Sequence, residues 1–186
     1  KQLMADLRTN FLNMTLRNPF VVASGILGTS PSLMERCARE GAGAVTSKSA
    51  GPEPREGHAN PVAVAWDGGV INAIGLTNPG CREEVVVLQA TKARLEKWGV
   101  KLFASIFAPT MEDYTETAKI TAESQPDLIE VNISCPNVAS EFGTPFAASA
   151  GEAAGVTKAV KRGLKGSGIP ISVKLAPNVP SLVEIA

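Results

Sequence analysis

The sequence predicts an α/β protein: the N-terminal part of a (β/α)8 TIM barrel, about five of its eight units, as a single domain over residues 1–186. Three observations lead there. Short apolar, β-branched runs alternate with helical stretches, the pattern of a parallel sheet covered by helices. Polar residues recur at the carboxyl ends of those runs: Ser24, Lys48, Asn132 and Lys174. In a barrel these ends converge on one mouth, where active sites lie. The rival, an open dinucleotide-binding sheet, needs a Gly-rich turn after the first strand and an acidic residue closing the second. Ser24-Gly25-Ile26-Leu27-Gly28 matches that turn poorly, and the acidic residue is missing.

The elements follow in order. Residues 20–24 read as a buried strand. Residues 31–40 read as a helix, with Ser30 as N-cap, Pro31 at the first helical position and Gly41 as the stop. Residues 44–48 form a second strand. A Gly- and Pro-rich insertion over 49–79 holds a hairpin, in which 62–66 and 70–74 flank Asp67-Gly68-Gly69. Residues 82–98 form a helix with an apolar stripe through Val87, Leu88, Ala90, Thr91 and Leu95, closed by Gly99. Strands at 102–106, 128–132 and 170–175 alternate with helices at 111–124, capped by Thr110, and at 147–164. A further helix begins at 180. A whole barrel of this kind runs to roughly 250 residues or more, so about the first two thirds of one is expected here.

Composition narrows the function. Lysine plus arginine total 18 and aspartate plus glutamate total 18, a formal charge of zero. That balance argues against nucleic acid or an anionic membrane surface as partner. No apolar run reaches the ~18 residues of a membrane span, and residues 1–8 carry no signal core. Cys37, Cys81 and Cys135 are too sparse and too far apart for a disulfide framework or a zinc site. A reducing, cytoplasmic setting is expected. The single histidine, His58, excludes a multi-histidine metal centre, and no metal is expected.

The chemistry gathers at the strand ends. Asn132, Cys135 and Asn137 lie within six residues, so two amides and a thiol can face a flat polar ring. Read alone, a lone Cys is more often a small buried hydrophobe, but this one follows a strand's carboxyl end. Lys48 and Lys174 each close a strand, and an ammonium inside a barrel mouth must be paired or functional. Two lysines and several amides without an acidic cluster suit an anionic, electron-rich ligand. In the loop Asn72-Ala73-Ile74-Gly75-Leu76-Thr77-Asn78-Pro79-Gly80, Gly75 would let the backbone approach a ligand closely.

These segments together resemble the class 1 dihydroorotate dehydrogenases. The matching stretches are 18–25, Thr46-Ser47-Lys48-Ser49 with Arg55-Glu56-Gly57, 72–80, Asn132-Ile133-Ser134-Cys135-Pro136-Asn137 and 173–178. They stand in family order and span nearly the whole chain. Phe142-Gly143-Thr144 is similar to the flavin subunit of the NAD-linked branch, class 1B. The resemblance implies an FMN barrel that oxidises dihydroorotate to orotate in de novo pyrimidine biosynthesis. It implies that Cys135 is the catalytic base, tuned by Ser134, with hydride passing to the flavin. Lys48, Asn72, Ile74, Gly75, Leu76, Asn132 and Asn137 would bind substrate. Ala23, Ser24, Gly25, Lys48, Ser49, Asn72, Asn132 and Lys174 would hold FMN, with Lys174 at its N1–O2 edge. Residues 138–144 would form a lid. The flavin phosphate site is expected after strands seven and eight, beyond this sequence. Partners implied are a second copy, in a homodimer, and an FAD- and iron–sulfur-bearing electron-transfer subunit. A dihydropyrimidine dehydrogenase-like flavoenzyme, a Schiff-base aldolase using Lys174 or Lys48, and an inactive scaffold remain as alternatives.

Overall fold

The structure is a computed structural model and describes residues 5–134, 146–179 and 181–186. It opens with a small antiparallel hairpin, β1 (Thr9–Phe11) and β2 (Met14–Leu16). Its turn carries Leu12 and Asn13 at φ of 45° and 63°. Asn tolerates that left-handed region and Leu does not advertise it, which is why the sequence reading holds no such hairpin. The chain then runs β3 (Val21–Val22), α1 (Pro31–Arg39), β4 (Ala44–Thr46), β5 (Ala63–Trp66), β6 (Gly69–Asn72) and α2 (Cys81–Leu95). After these come β7 (Lys101–Ile106), α3 (Met111–Ala122), β8 (Leu128–Asn132), α4 (Ala150–Gly163), β9 (Ile171–Lys174) and α5 (Leu182–Ile185).

Five strands form one parallel sheet in the order β3-β4-β7-β8-β9, as the alternating pattern predicts. Strand parity divides its residues between two faces. On one face Val45, Leu102, Ala104, Ile106, Ile129 and Val131 pack under the helices, against Met34, Leu88, Leu95, Tyr114, Val156 and Val160. On the other face Ala44, Phe103 and Leu128 cluster with Leu16 of β2. The hairpin β1–β2 thus covers the amino end of the inner face, with the Phe11 and Phe103 rings 6.1 Å apart. Next along the inner face come Ser105 and Glu130, lateral partners on β7 and β8, and then Asn132 and Lys174, lateral partners on β8 and β9. Apolar at its amino end and polar at its carboxyl end, this curled sheet has the layering of part of a barrel.

The boundaries shift for local reasons. Ser30 Oγ accepts from Leu33 N and Thr110 Oγ1 from Asp113 N, so both expected caps form. The second strand ends at Thr46 rather than Lys48, because the Lys48 N–H turns to the Gly28 carbonyl at 2.9 Å. The first likewise ends at Val22 rather than Ser24. The hairpin turn is Asp67-Gly68 alone, since Gly69 already pairs with Trp66. The expected helix from 147 starts at Ala150, because Ser149 caps it through Glu152 N, and Phe146–Ala148 form a separate 3-10 turn.

Candidate functional site at the carboxyl ends of the strands

Four strand ends meet in one hydrogen-bonded cluster. Ser49, which follows β4 and is buried, stands at its centre. Its Oγ lies 3.3 Å from Ser24 Oγ beyond β3, 2.8 Å from Ser105 Oγ on β7 and 3.1 Å from Asn132 Nδ2 at the end of β8. Ser105 in turn donates to Glu130 Oε1 at 3.1 Å. The Asn132 carbonyl accepts from Tyr114 Oη at 2.8 Å, which ties the strand end to α3. Lys174 ends β9 directly beside Asn132 and is half-buried, as is Lys48. Of the four residues expected at strand ends, Ser24, Asn132 and Lys174 are brought together here, with Ser49, which the resemblance rather than a strand-end position points to, between Ser24 and Asn132. Ser105 and Glu130 are not among the expected residues. The available signal is parity: Glu130 lies two residues before Asn132 on the same strand, so both point to the same face.

Ala23 and Gly25 flank Ser24 just beyond β3; Ala23 is exposed and Gly25 half-buried. A Cβ built on Gly25 meets no described residue within 4 Å, so packing among the described residues does not require glycine there and leaves space for a ligand. The loop after β6 packs against the segment that holds Arg55 and His58. Gly75 has φ of +81°, and a Cβ on it would press on the backbone nitrogen of His58 at 2.7 Å. Chain packing is thus enough to demand glycine, without any ligand. The loop is anchored by buried Asn78, whose Oδ1 accepts from Gly51 N at 3.1 Å and Gly80 N at 2.9 Å while Nδ2 donates to Leu76 O at 2.6 Å. His58 N and Arg55 Nε take up the carbonyls of Ile74 and Gly75. The N–H groups of Ile74, Gly75 and Leu76 donate to no other described residue, and successive N–H groups in such a turn suit an anion. Asn72 ends the exposed hairpin, and no hydrogen bond joins it to the Ser49 cluster among the described residues. Cys135, Asn137 and residues 138–144, with Phe142-Gly143-Thr144, lie outside the described residues. Ser134, half-buried, is the last described residue before them.

A family model described as dihydroorotate dehydrogenase matches residues 6–186, nearly the whole chain and all of the cluster. The chain belongs to the dihydroorotate dehydrogenase family. Among its relatives is the dihydroorotate dehydrogenase B (NAD(+)) catalytic subunit of Methanocaldococcus jannaschii, 41% identical over 180 residues, which are 97% of this chain and 57% of that protein. The subunit of the same name from Methanothermobacter thermautotrophicus is 40% identical over 97% of this chain and 56% of its own length. That of Pyrococcus abyssi is 36% identical over 96% of this chain and 56% of its own length. The chain thus spans a little over half the length of these members of the dihydroorotate dehydrogenase family. Among the described residues, no helix is long and apolar enough to cross a membrane, and no cluster of side chains could hold a metal ion.

Proposed function

We propose that this chain is the N-terminal part, about five of eight β/α units, of an FMN-dependent barrel that oxidises dihydroorotate to orotate in pyrimidine biosynthesis. The observation that carries the reading is the cluster of Ser24, Ser49 and Asn132 beside Lys174 at the carboxyl ends of the sheet, in a chain of this family. The donor set fits a flavin. Hydroxyls, an amide and two lysines suit a polar, electron-rich ring, and the open space over Gly25 leaves room for its plane. Ala23, Ser24, Gly25, Lys48, Ser49, Asn72, Asn132 and Lys174 would hold FMN, which supplies the hydride acceptor when bound.

The chain's own residues do the rest. Cys135, as thiolate, would take a proton from the substrate carbon next to the one that gives up hydride. Asn72, Asn132 and Asn137 would fix the pyrimidine edges. The N–H groups of Ile74, Gly75 and Leu76, which donate to no other described residue, would with Lys48 take the substrate carboxylate, the feature that sets dihydroorotate apart from uncharged pyrimidines. Lys174 would stabilise negative charge at the N1–O2 edge of the reduced ring. Residues 138–144 would act as the lid. We further propose a cytoplasmic homodimer, served by an FAD- and iron–sulfur-bearing subunit that carries electrons to NAD.

Cys135→Ser in the full-length protein tests the central step. FMN should stay bound while dihydroorotate reduces it slower by orders of magnitude, because a serine hydroxyl is a far weaker base at neutral pH. Stopped-flow bleaching of the flavin absorbance measures it, and unchanged kinetics would remove Cys135 from its role.

A further inference from the structure

The amide of Asn132 has one possible orientation. Its Oδ1 accepts from the backbone N–H of Ser134 at 3.2 Å and from Ser134 Oγ at 3.0 Å. A backbone N–H can only donate, so Nδ2 faces Ser49 Oγ, and Ser49 accepts there. Ser105 has one hydroxyl proton, and a carboxylate only accepts, so that proton goes to Glu130. The 2.8 Å contact between Ser49 and Ser105 is then made by the Ser49 proton. Ser49 has none left for Ser24, and so accepts from it across the looser 3.3 Å. The donors all run one way, from Ser24 through Ser49 and Ser105 to Glu130. Toward the mouth Ser24 offers lone pairs only.

We propose that Glu130 is a positioning residue that, through Ser105 and Ser49, fixes Ser24 as a hydrogen-bond acceptor and so favours the reduced over the oxidised form of a bound flavin. This rests on the flavin reading above. An oxidised isoalloxazine ring has acceptors at N1, O2, O4 and N5 and one donor, N3–H. Two-electron reduction adds a donor at N5. Ser24 follows β3 and Lys174 ends β9, the two outer strands of the sheet. A ring with its N1–O2 edge at Lys174 would present its opposite, N5 edge toward Ser24. There an acceptor meets the N5–H of the reduced ring but a lone pair of the oxidised one.

Ser105→Ala in the full-length protein breaks the chain of donors with little change of volume. The Ser49 proton then turns to Ser24, whose own proton is released toward the ligand. The ratio of reduced to oxidised FMN affinity should fall about fivefold, which is a midpoint potential lowered by about 20 mV. Ser105→Cys, whose thiol is a poor acceptor, should move the potential the same way and serves if the alanine variant does not fold. Ser172→Ala, in the same layer and lateral to Glu130, should leave it unchanged. An unmoved potential in the Ser105 variants, or an equal shift in Ser172→Ala, overturns the inference alone. A wild-type protein that binds no FMN overturns the flavin reading and this inference together.

Discussion

Glu84 sits on α2 at 4% exposure, and its Oε1 has no hydrogen-bond partner among the described residues. Burial pushes its carboxyl from 4.5 up to about 8. Between those two values the folded chain keeps a proton that the unfolded chain loses. The folded state binds more protons there, so stability falls as pH rises from about 4.5 to 8 and levels off above. Glu84→Gln keeps the shape without the titration. It should flatten that slope and raise stability at pH 8 by on the order of 3 kcal/mol, read from urea midpoints at pH 5 and pH 8. Cys81, at the start of the same helix, is likewise buried, and desolvation raises its thiol pKa. An inert, buried thiol of this kind is packing material.

At the scale of elements, α3 and α4 pack backbone against backbone at one point. Gly163 closes α4, and a Cβ built on it falls onto the carbonyl oxygen of Thr115 in α3. Thr115 Oγ1 also reaches the carbonyls of Met111 and Ala159, each at 3.1 Å, so the contact is held on both sides. Replacing a helical glycine by alanine ordinarily stabilises by up to about 1 kcal/mol. Here the clash is with backbone, which has no rotamer to escape into, and overpacking wins. Gly163→Ala is expected to destabilise by about 1–3 kcal/mol, seen as a lower melting temperature. A second device ties three elements at one residue. Asp127, just before β8, accepts from Lys92 of α2 at 2.8 Å and from Lys101 and the Leu102 N–H of β7 at 3.1 and 2.9 Å. Burial pushes its pKa up, but these donors outweigh it and hold the carboxyl below its ordinary value. Its contribution is present above the ordinary carboxylate range and is lost as pH falls through the lowered value.

At the scale of the whole molecule, β3 and β9 are the outer strands of a parallel sheet, and each leaves a row of backbone groups without a strand partner among the described residues. Beside β3 and α1 lies an apolar groove of 670 Å³ lined by Phe20, Val22, Leu27 and Leu33. The hairpin β5–β6 adds Val64, Trp66, Val70 and Ile71, each more than half exposed. Such surfaces associate in water. The 186-residue chain on its own should therefore elute from gel filtration with light scattering as oligomers or aggregate, and a monodisperse monomer at micromolar concentration would contradict this. Much of this architecture was legible in the sequence. Caps such as Ser30 and Thr110, the apolar runs and the polar residues at their ends are local signals, because a helix start or a buried strand is specified within a few residues. Asn132 and Lys174 end their strands as those signals predict, whereas Lys48 lies two residues beyond the end of its own. The hairpin β1–β2 was not, because its turn at Leu12 and Asn13 takes left-handed conformations that this dipeptide signals weakly. Gly75 reads in the sequence as a glycine that lets its backbone approach a ligand; the close neighbour that the fold itself gives it is the backbone of His58, a packing contact that no local pattern announces. Parity along β8 alone places Glu130 on the face of Asn132. Only the tertiary structure decides that Ser105 meets it, because the register between β7 and β8 belongs to two strands at once, and with it the direction of every proton from Ser24 to Glu130.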